Sequence, residues 1–419
     1  MIRVDDRLLD PNTLAAEGAR ALGDPDALSG ASVAVCAPDA AGWLGLFFAL
    51  RAAGAGVLPI HPATPHEAAR RLATQAGCSR LVFHGTSETL APETARGGGV
   101  LLQMSSGTTG APKCVARGWD EIERELASYV AAFPDTDDMT PVVACPTTHS
   151  YGLICGLLAG LKRGRTPVLI DPSNPKALIR ALREADRPVL YASPAVLHTL
   201  AQLLPAGETL HAAMTSGTLL PEAWFARIRA RTRRLFQQYG CSEAGVIAVN
   251  AELERPEIMG RPLPHLAVAA GAGPEAPAEI VVTAGGRRIE TRDLGWMTSE
   301  GTLGFAARLD DTINVSGLNV YPQEVEDVVM TLPAVTDAVA FRLADRFAGE
   351  RVGLVFSARE AVPPRDVMDW CRKALAGHQL PAQVAQLDAV PRQANGKVSR
   401  REIAASFAKG ELRIREEAR

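Results

Sequence analysis

The chain has 419 residues, with 44 Lys+Arg against 47 Asp+Glu and a formal charge of −3. That is enough polypeptide for two or three domains, and near-neutrality gives no electrostatic case for nucleic acid as a partner. An apolar fraction of 47% with 22% charged residues excludes wholesale disorder. Seven cysteines with no C-x-x-C pair point to a reduced, cytoplasmic compartment. The acidic start, Met-Ile-Arg-Val-Asp-Asp, and the short apolar run from Gly152 to Leu161 predict neither a secretion signal nor a membrane span. His61 and His66 are separated by Pro-Ala-Thr-Pro, which breaks any helix that would align both rings on a metal.

Little is expected before Ser32. From there, apolar strands (32–36, 57–60, 80–83) alternate with helices at about 40–53 and 64–77, the pattern of right-handed βαβ units on a parallel sheet. A second alternation covers strands at 142–145, 167–170 and 189–191, an apolar helix after Gly152, and a helix from Pro175 to Glu184. Between Met259 and Leu303 short strands and Gly-rich turns predict a small β-rich unit. After it come helices at 322–330 and 364–376, strands at 338–341 and 352–356, and a charged tail helix. The expected fold is therefore α/β: a large N-terminal domain, residues 1–309, of two doubly wound layers plus the β-rich unit, then a small mobile α+β domain, residues 310–419.

The strongest chemical signal is Leu101-Leu-Gln-Met-Ser-Ser-Gly-Thr-Thr-Gly-Ala-Pro-Lys113. A Ser/Thr/Gly loop after a buried strand offers backbone N–H groups, hydroxyls and one lysine to phosphate oxygens, though its spacing is not Walker A. Read alone, it is also compatible with a flexible linker. Tyr239-Gly-Cys-Ser-Glu243 places a carboxylate after a turn, suited either to Mg²⁺ or to a helix cap. Asp293 has two acceptor oxygens for a ribose but could equally be a turn residue. His149 reads as a rim histidine at an apolar strand end, and Lys397 as a turn lysine.

Taken together and in order, these segments resemble the acyl-adenylate-forming superfamily of acyl-CoA and aryl-CoA synthetases, luciferases and peptide-synthetase adenylation domains. The resembling segments are Ser105–Lys113, Pro146–Leu153, Ser216–Pro221, Tyr239–Glu243, Thr291–Gly295, Arg308–Gly317 and Pro391–Arg400. The resemblance implies ATP contacts from Ser105, Ser106, Gly107, Thr108, Thr109, Gly110, Lys113, Ser216, Gly217, Thr218, Tyr239, Ser242, Asp293 and Arg308. It implies Mg²⁺ on Glu243, a gate at His149, an adenylation lysine at Lys397, a solvent-exposed hinge at Asp310 and a pantetheine tunnel at Gly317. Residues expected near the acid are His149, Ser150, Tyr151, Met214, Thr215, Cys241, Ser242 and Gly245, whose small and hydroxylic character suits a compact aryl acid. The implied activity is adenylation of a carboxylic acid by ATP, then transfer to a pantetheine thiol of a carrier protein or CoA; the alternatives are a CoA synthetase for a short or medium aliphatic acid and a non-catalytic nucleotide-binding relative. The chain departs from the family pattern in being markedly shorter, with Cys114 and Arg292 where glycine is usual, Ala307 for the glycine of Gly-Arg, and Asn319 for a basic residue.

Overall fold

A computed structural model describes residues 1–24, 26–105, 113–393 and 396–415. Two layers form the body of the large domain. The first is a six-stranded sheet in the order Thr86–Thr89, Arg80–Phe83, Ser32–Cys36, Gly56–Pro59, Val100–Ser105, Lys113–Gly118. Its central strand, Ser32–Cys36, is buried along its whole length and pairs in parallel with both neighbours, as the unbroken Val-Ala-Val run requires. The helix Ala40–Ala52 crosses over it, capped by Asp39, whose carboxylate accepts from the Gly42 N–H at 2.9 Å.

The residues before Ser32 are not the minor appendage expected from the sequence. Ile2–Val4 and Arg7–Leu9 form a hairpin at the edge of the second sheet, and the helix Pro11–Leu22, capped by Asp10, packs on Ala40–Ala52. Ile2–Val4 runs parallel to Val168–Leu169, so this short segment ties the two layers together.

The second sheet is 13-stranded. Parallel strands Val168–Leu169, Thr140–Ala144, Pro188–Ala192, Leu210–Thr215 and Thr232–Cys241 give way to antiparallel Gly245–Asn250, Ile258–Pro262, Leu303–Arg308, Arg287–Met297, Ala278–Ala284 and Ala267–Ala269. The β-rich unit is thus a hydrogen-bonded continuation of the second layer. The apolar helix expected after Gly152 begins as a π-helix, Tyr151–Leu158, before becoming regular at Ala159–Lys162. Such widened turns are often found at functional sites.

Residues after Thr312 build a separate five-stranded sheet around Gly349–Ala358, flanked by helices Pro322–Met330, Pro364–Cys371 and Arg400–Ala408. The helix from Pro364 ends at Cys371, short of the expected Ala376. Among the described residues no helix is long and apolar enough to cross a membrane.

Candidate active site

The strand register fixes one wall. Asp293 on Arg287–Met297 lies opposite Arg308 on Leu303–Arg308, and Tyr239 lies on Thr232–Cys241, separated from Leu303–Arg308 by two strands of the same sheet. The Tyr239 hydroxyl donates to Asp293 Oδ2 at 2.7 Å, and Arg308 Nε stands 3.9 Å from Oδ1. Asp293 is buried, which pushes its carboxyl pKa up, while Arg308, the Tyr239 hydroxyl and Lys397 act in the opposite direction. Its backbone is set by Arg292, which occupies the left-handed region at φ 62°, a conformation that favours glycine. That residue is held from both ends: its N–H donates to Glu279 Oε1 at 3.0 Å and its guanidinium to Asp310 Oδ1 at 3.1 Å.

The opposite wall comes from the C-terminal lobe. The turn carrying Lys397 closes with Gly396 N–H to Gln393 O and Gln393 N–H to Lys397 O bonds of 2.8 and 2.9 Å. It reaches the large domain at the loop after Leu210–Thr215, where Lys397 Cε is 3.1 Å from the place a Cβ would take on Gly217. Gly217 has φ +94°, so a side chain there would be both strained and in the path of the lysine. Lys397 is exposed to solvent at the seam between the lobes. Loss of hydration lowers its pKa, and Arg308 adds to this, while Asp293 and Cys241 oppose it. His149 lies close by; burial first, then the charges of Lys397 and His61, pull its pKa down to about 4. The imidazole is neutral at pH 7 and can sit against the ammonium without repulsion.

Lys397, Asp293, Arg308, Tyr239, Cys241, Gly217 and His149 therefore meet in one cleft. Glu243 is half-buried on the same turn as Cys241, with its carbonyl held by Arg287 Nη2 at 3.0 Å. Ser216 is half-buried and Thr218 exposed in the Gly217 loop, and Ser242 is half-buried beside Glu243. Ser105 closes its strand and Lys113 opens the returning one, but Ser106, Gly107, Thr108, Thr109 and Gly110 lie outside the described residues.

Three expectations need correcting. His149 is not at a strand end but beyond it, in the turn leading into the π-helix, where its N–H donates to Pro146 O at 3.1 Å. The Tyr151 hydroxyl donates to Met214 O at 2.6 Å, so it braces the strand end at Met214 and is not a free group for the acid. Asp310 is not a solvent-exposed linker: its side chain keeps only 18% exposure, its carboxylate holds Arg292 and its carbonyl accepts from Arg342 Nη2 at 3.2 Å. Gly317 sits at φ +89° in the hairpin joining Ile313–Val315 to Leu318–Val320, with open space where a Cβ would be.

Other groups at the cleft carried no sequence signal. His61 belongs here, facing His149, while His66 lies 3.3 Å from Glu88. Ser193 Oγ lies 2.9 Å from the Cβ position of Gly396 and forms the seat of the Lys397 turn. Beneath Gly245 lies a fully buried pair, Arg117 Nη2 to Glu125 Oε2 at 2.6 Å; Glu125 Oε1 also accepts the Val246 N–H at 2.7 Å. Gly245, at φ +77°, is required here, since a Cβ would lie 2.5 Å from Arg117 Nη1 and both Glu125 oxygens. Among the described residues no group of three or more His, Cys, Asp or Glu could by itself hold a metal.

Residues 91–270 match the family described as AMP-binding enzyme, and residues 324–397 match the AMP-binding enzyme C-terminal domain. A 3,4-dihydroxybenzoate–[aryl-carrier protein] ligase of Bacillus anthracis is 36% identical over 381 residues, covering 89% of this chain and 90% of that protein. A 2-succinylbenzoate–CoA ligase of Bacillus subtilis is 25% identical, covering 74% of this chain and 69% of that protein. Among solved structures, o-succinylbenzoate CoA synthetase (MenE) from Bacillus subtilis in complex with the acyl-adenylate intermediate superposes with a TM-score of 0.81 at 21% identity, covering 96% of this chain and 94% of that one. The chain belongs to the AMP-binding, acyl-adenylate-forming enzyme family. It is a ligase of that kind.

Proposed function

We propose that the protein uses ATP to adenylate a small aromatic carboxylic acid of the hydroxybenzoate type and passes the acyl group to a pantetheine thiol on an aryl carrier protein or CoA. The reading rests on one observation: Lys397 of the small lobe stands beside Asp293, Arg308 and His149 of the large domain, the arrangement that brings a mobile cation to a nucleotide wall. In the first step a carboxylate oxygen attacks the α-phosphorus and pyrophosphate leaves. Lys397 and Arg308 reduce the repulsion between the two anions, and Asp293 holds the ribose hydroxyls. Mg²⁺ fits the donor set of Glu243 plus phosphate oxygens, the usual one-carboxylate arrangement for this ion. In the second step the thiol sulfur attacks the acyl carbon, AMP leaves and the thiol proton goes to solvent. No protein thiol is needed, and burial pushes Cys241, the cysteine in the cleft, up to about 12, which leaves it protonated and poorly nucleophilic.

The kinship with an aryl-carrier protein ligase supports the acid class and the acceptor, and the hydroxylic residues Ser150 and Ser242 agree with it. The test is pyrophosphate release across benzoate, mono- and dihydroxybenzoates and short aliphatic acids, followed by thioester formation on CoA and on phosphopantetheinylated carrier protein. Hydroxybenzoates should lead the ranking. Preference for an aliphatic acid would refute the acid class, and pyrophosphate release with neither thiol loaded would refute the acceptor.

A further inference from the structure

Adenylation requires the small lobe to be held at one orientation against the large domain, and several groups cross that boundary. Trp224, on the helix Glu222–Ala230 of the large domain, is one that does. It is 4% exposed, and its Nε1–H donates across the boundary to Thr336 O at 3.2 Å, on the strand Val335–Asp345 of the small lobe. Two residues earlier, the Glu222 N–H donates to Asp327 Oδ1 of the small lobe at 3.3 Å. The same indole carries the Arg392 guanidinium, whose carbon is 5.1 Å from the ring centroid. Arg392 in turn donates from Nη2 to Asp337 Oδ2 at 2.6 Å and from Nη1 to Gly396 O at 3.2 Å. Gly396 immediately precedes Lys397. The indole also stacks in parallel on His198, with centroids 4.4 Å apart, which fixes the ring on its own domain.

We propose that Trp224 is the positioning residue that docks the small lobe for adenylation and, through Arg392, sets the turn that delivers Lys397. The chain of contacts is continuous: His198 steadies the indole, the indole fixes the Arg392 plane and the Thr336 carbonyl, and Arg392 ties the Gly396 carbonyl to Asp337. A guanidinium over an aromatic face and an indole N–H bond are both short-range and directional, so they hold one orientation rather than merely favouring contact. Once the lobe rotates away for thiol transfer, the Trp224 contacts to Thr336 and Arg392 are broken and have no part in that step. The inference rests on the adenylation role given to Lys397, and the experiment separates the two.

Pyrophosphate exchange and thioester formation from supplied acyl-AMP are measured on the same preparations of Trp224→Ala, Trp224→Phe, Arg392→Gln and Lys397→Ala. Trp224→Ala should lose roughly ten- to thirtyfold in exchange, the scale of one cation–π contact and one hydrogen bond, and keep transfer within about twofold. Trp224→Phe keeps the aromatic face and should recover most of the exchange. Arg392→Gln, at a half-buried position, should show the same one-sided loss and serves if the tryptophan variants do not fold. An equal fall in both half-reactions, or no fall in exchange while Lys397→Ala abolishes it, would overturn the docking role and leave the lysine assignment standing. Intact exchange in Lys397→Ala would overturn the lysine assignment, and the docking role with it.

Discussion

Replacing Lys397 by alanine removes a cation that the small lobe brings to the Gly217 loop. In the ATP-bound state an ammonium about 4 Å from a phosphate or carboxylate oxygen contributes on the order of 4 kcal/mol at an effective dielectric near 20, which corresponds to roughly a thousandfold in rate. Stability should barely suffer. The lysine's pKa is lowered first by loss of hydration and next by Arg308, so its charge is held at a cost that alanine relieves; Asp293 loses one partner but keeps Arg308 and Tyr239. The expected result is therefore a large fall in acid-dependent pyrophosphate exchange with the thermal midpoint little changed. Transfer from supplied acyl-AMP to a thiol, which needs no cation at the phosphorus, should persist. A sign check is available in the pH profile of the native enzyme: a lowered lysine pKa means the charge is lost as pH rises through that value, so adenylation should decline on the alkaline side below the ordinary lysine value of 10.5. Equal loss of both half-reactions, or a collapse of the melting transition, would refute the assignment and make Lys397 a structural residue.

Three further outcomes are expected. Arg292→Ala keeps the left-handed strain and loses the exposed pair with Asp310, whereas Arg292→Gly loses the pair but relieves the strain; glycine should therefore be the more stable variant by about 1 kcal/mol in denaturant titration, and the reverse order would refute the strain argument. His149 and His198 are both pulled down to about 4, so the unfolded chain binds more protons than the folded one between about pH 6.5 and 4; their contribution is complete above that window and is lost as pH falls through it. Melting temperature should drop across it, and His198→Phe should flatten the drop. Asp310→Pro fits the short 3₁₀ segment Leu309–Asp311 but fixes φ near roughly −65°. It should retain acyl-AMP formation and lose most thioester formation, and full thioester turnover would exclude a hinge at this residue.

Residues lying in contiguous segments that resemble the family could be picked out from the chain, their roles following from the resemblance. Tyr239, Asp293 and Lys397 each sit in a short run of glycines and polar groups that interrupts an apolar pattern, and the cleft contains all three. His61 was read only against its neighbour His66, because nothing local connects it to a group 88 positions later at His149. Trp224 drew no reading in the sequence, and Arg392 fell inside the Pro391–Arg400 segment without a role of its own; their contact crosses from one sheet system to the other. The hairpin and helix before Ser32 were missed for a different reason. Strands of three residues carry too little periodicity to announce themselves, and Ile2–Val4 is held by a partner at Val168–Leu169 far along the sequence.

On the proposed two-step reaction, the orientation seen here serves the first half-reaction. With the Lys397 turn seated on Ser193 and Gly217, the Ser316-Gly317 hairpin tip projects into open space, so the two segments attributed to the two steps do not occupy the cleft together. On the proposed scheme the exchange between them is a rotation near Asp310, and the contacts holding that residue come from both sides: Arg292 from the large domain and Arg342 from the small lobe. The Arg292 pair is exposed and therefore weak, worth about 0.2 to 1 kcal/mol, and the Trp224 and Glu222 contacts are single hydrogen bonds with one stacked guanidinium. A boundary built from several such small terms can hold the adenylation orientation in the resting enzyme and still release it once pyrophosphate departs and the charge that Lys397 was answering has been reduced. Buried apolar residues of both lobes, among them Trp224 and Phe225 on one side and Val325 and Val329 on the other, belong to one continuous cluster, so these polar contacts orient an apolar seam rather than replace it.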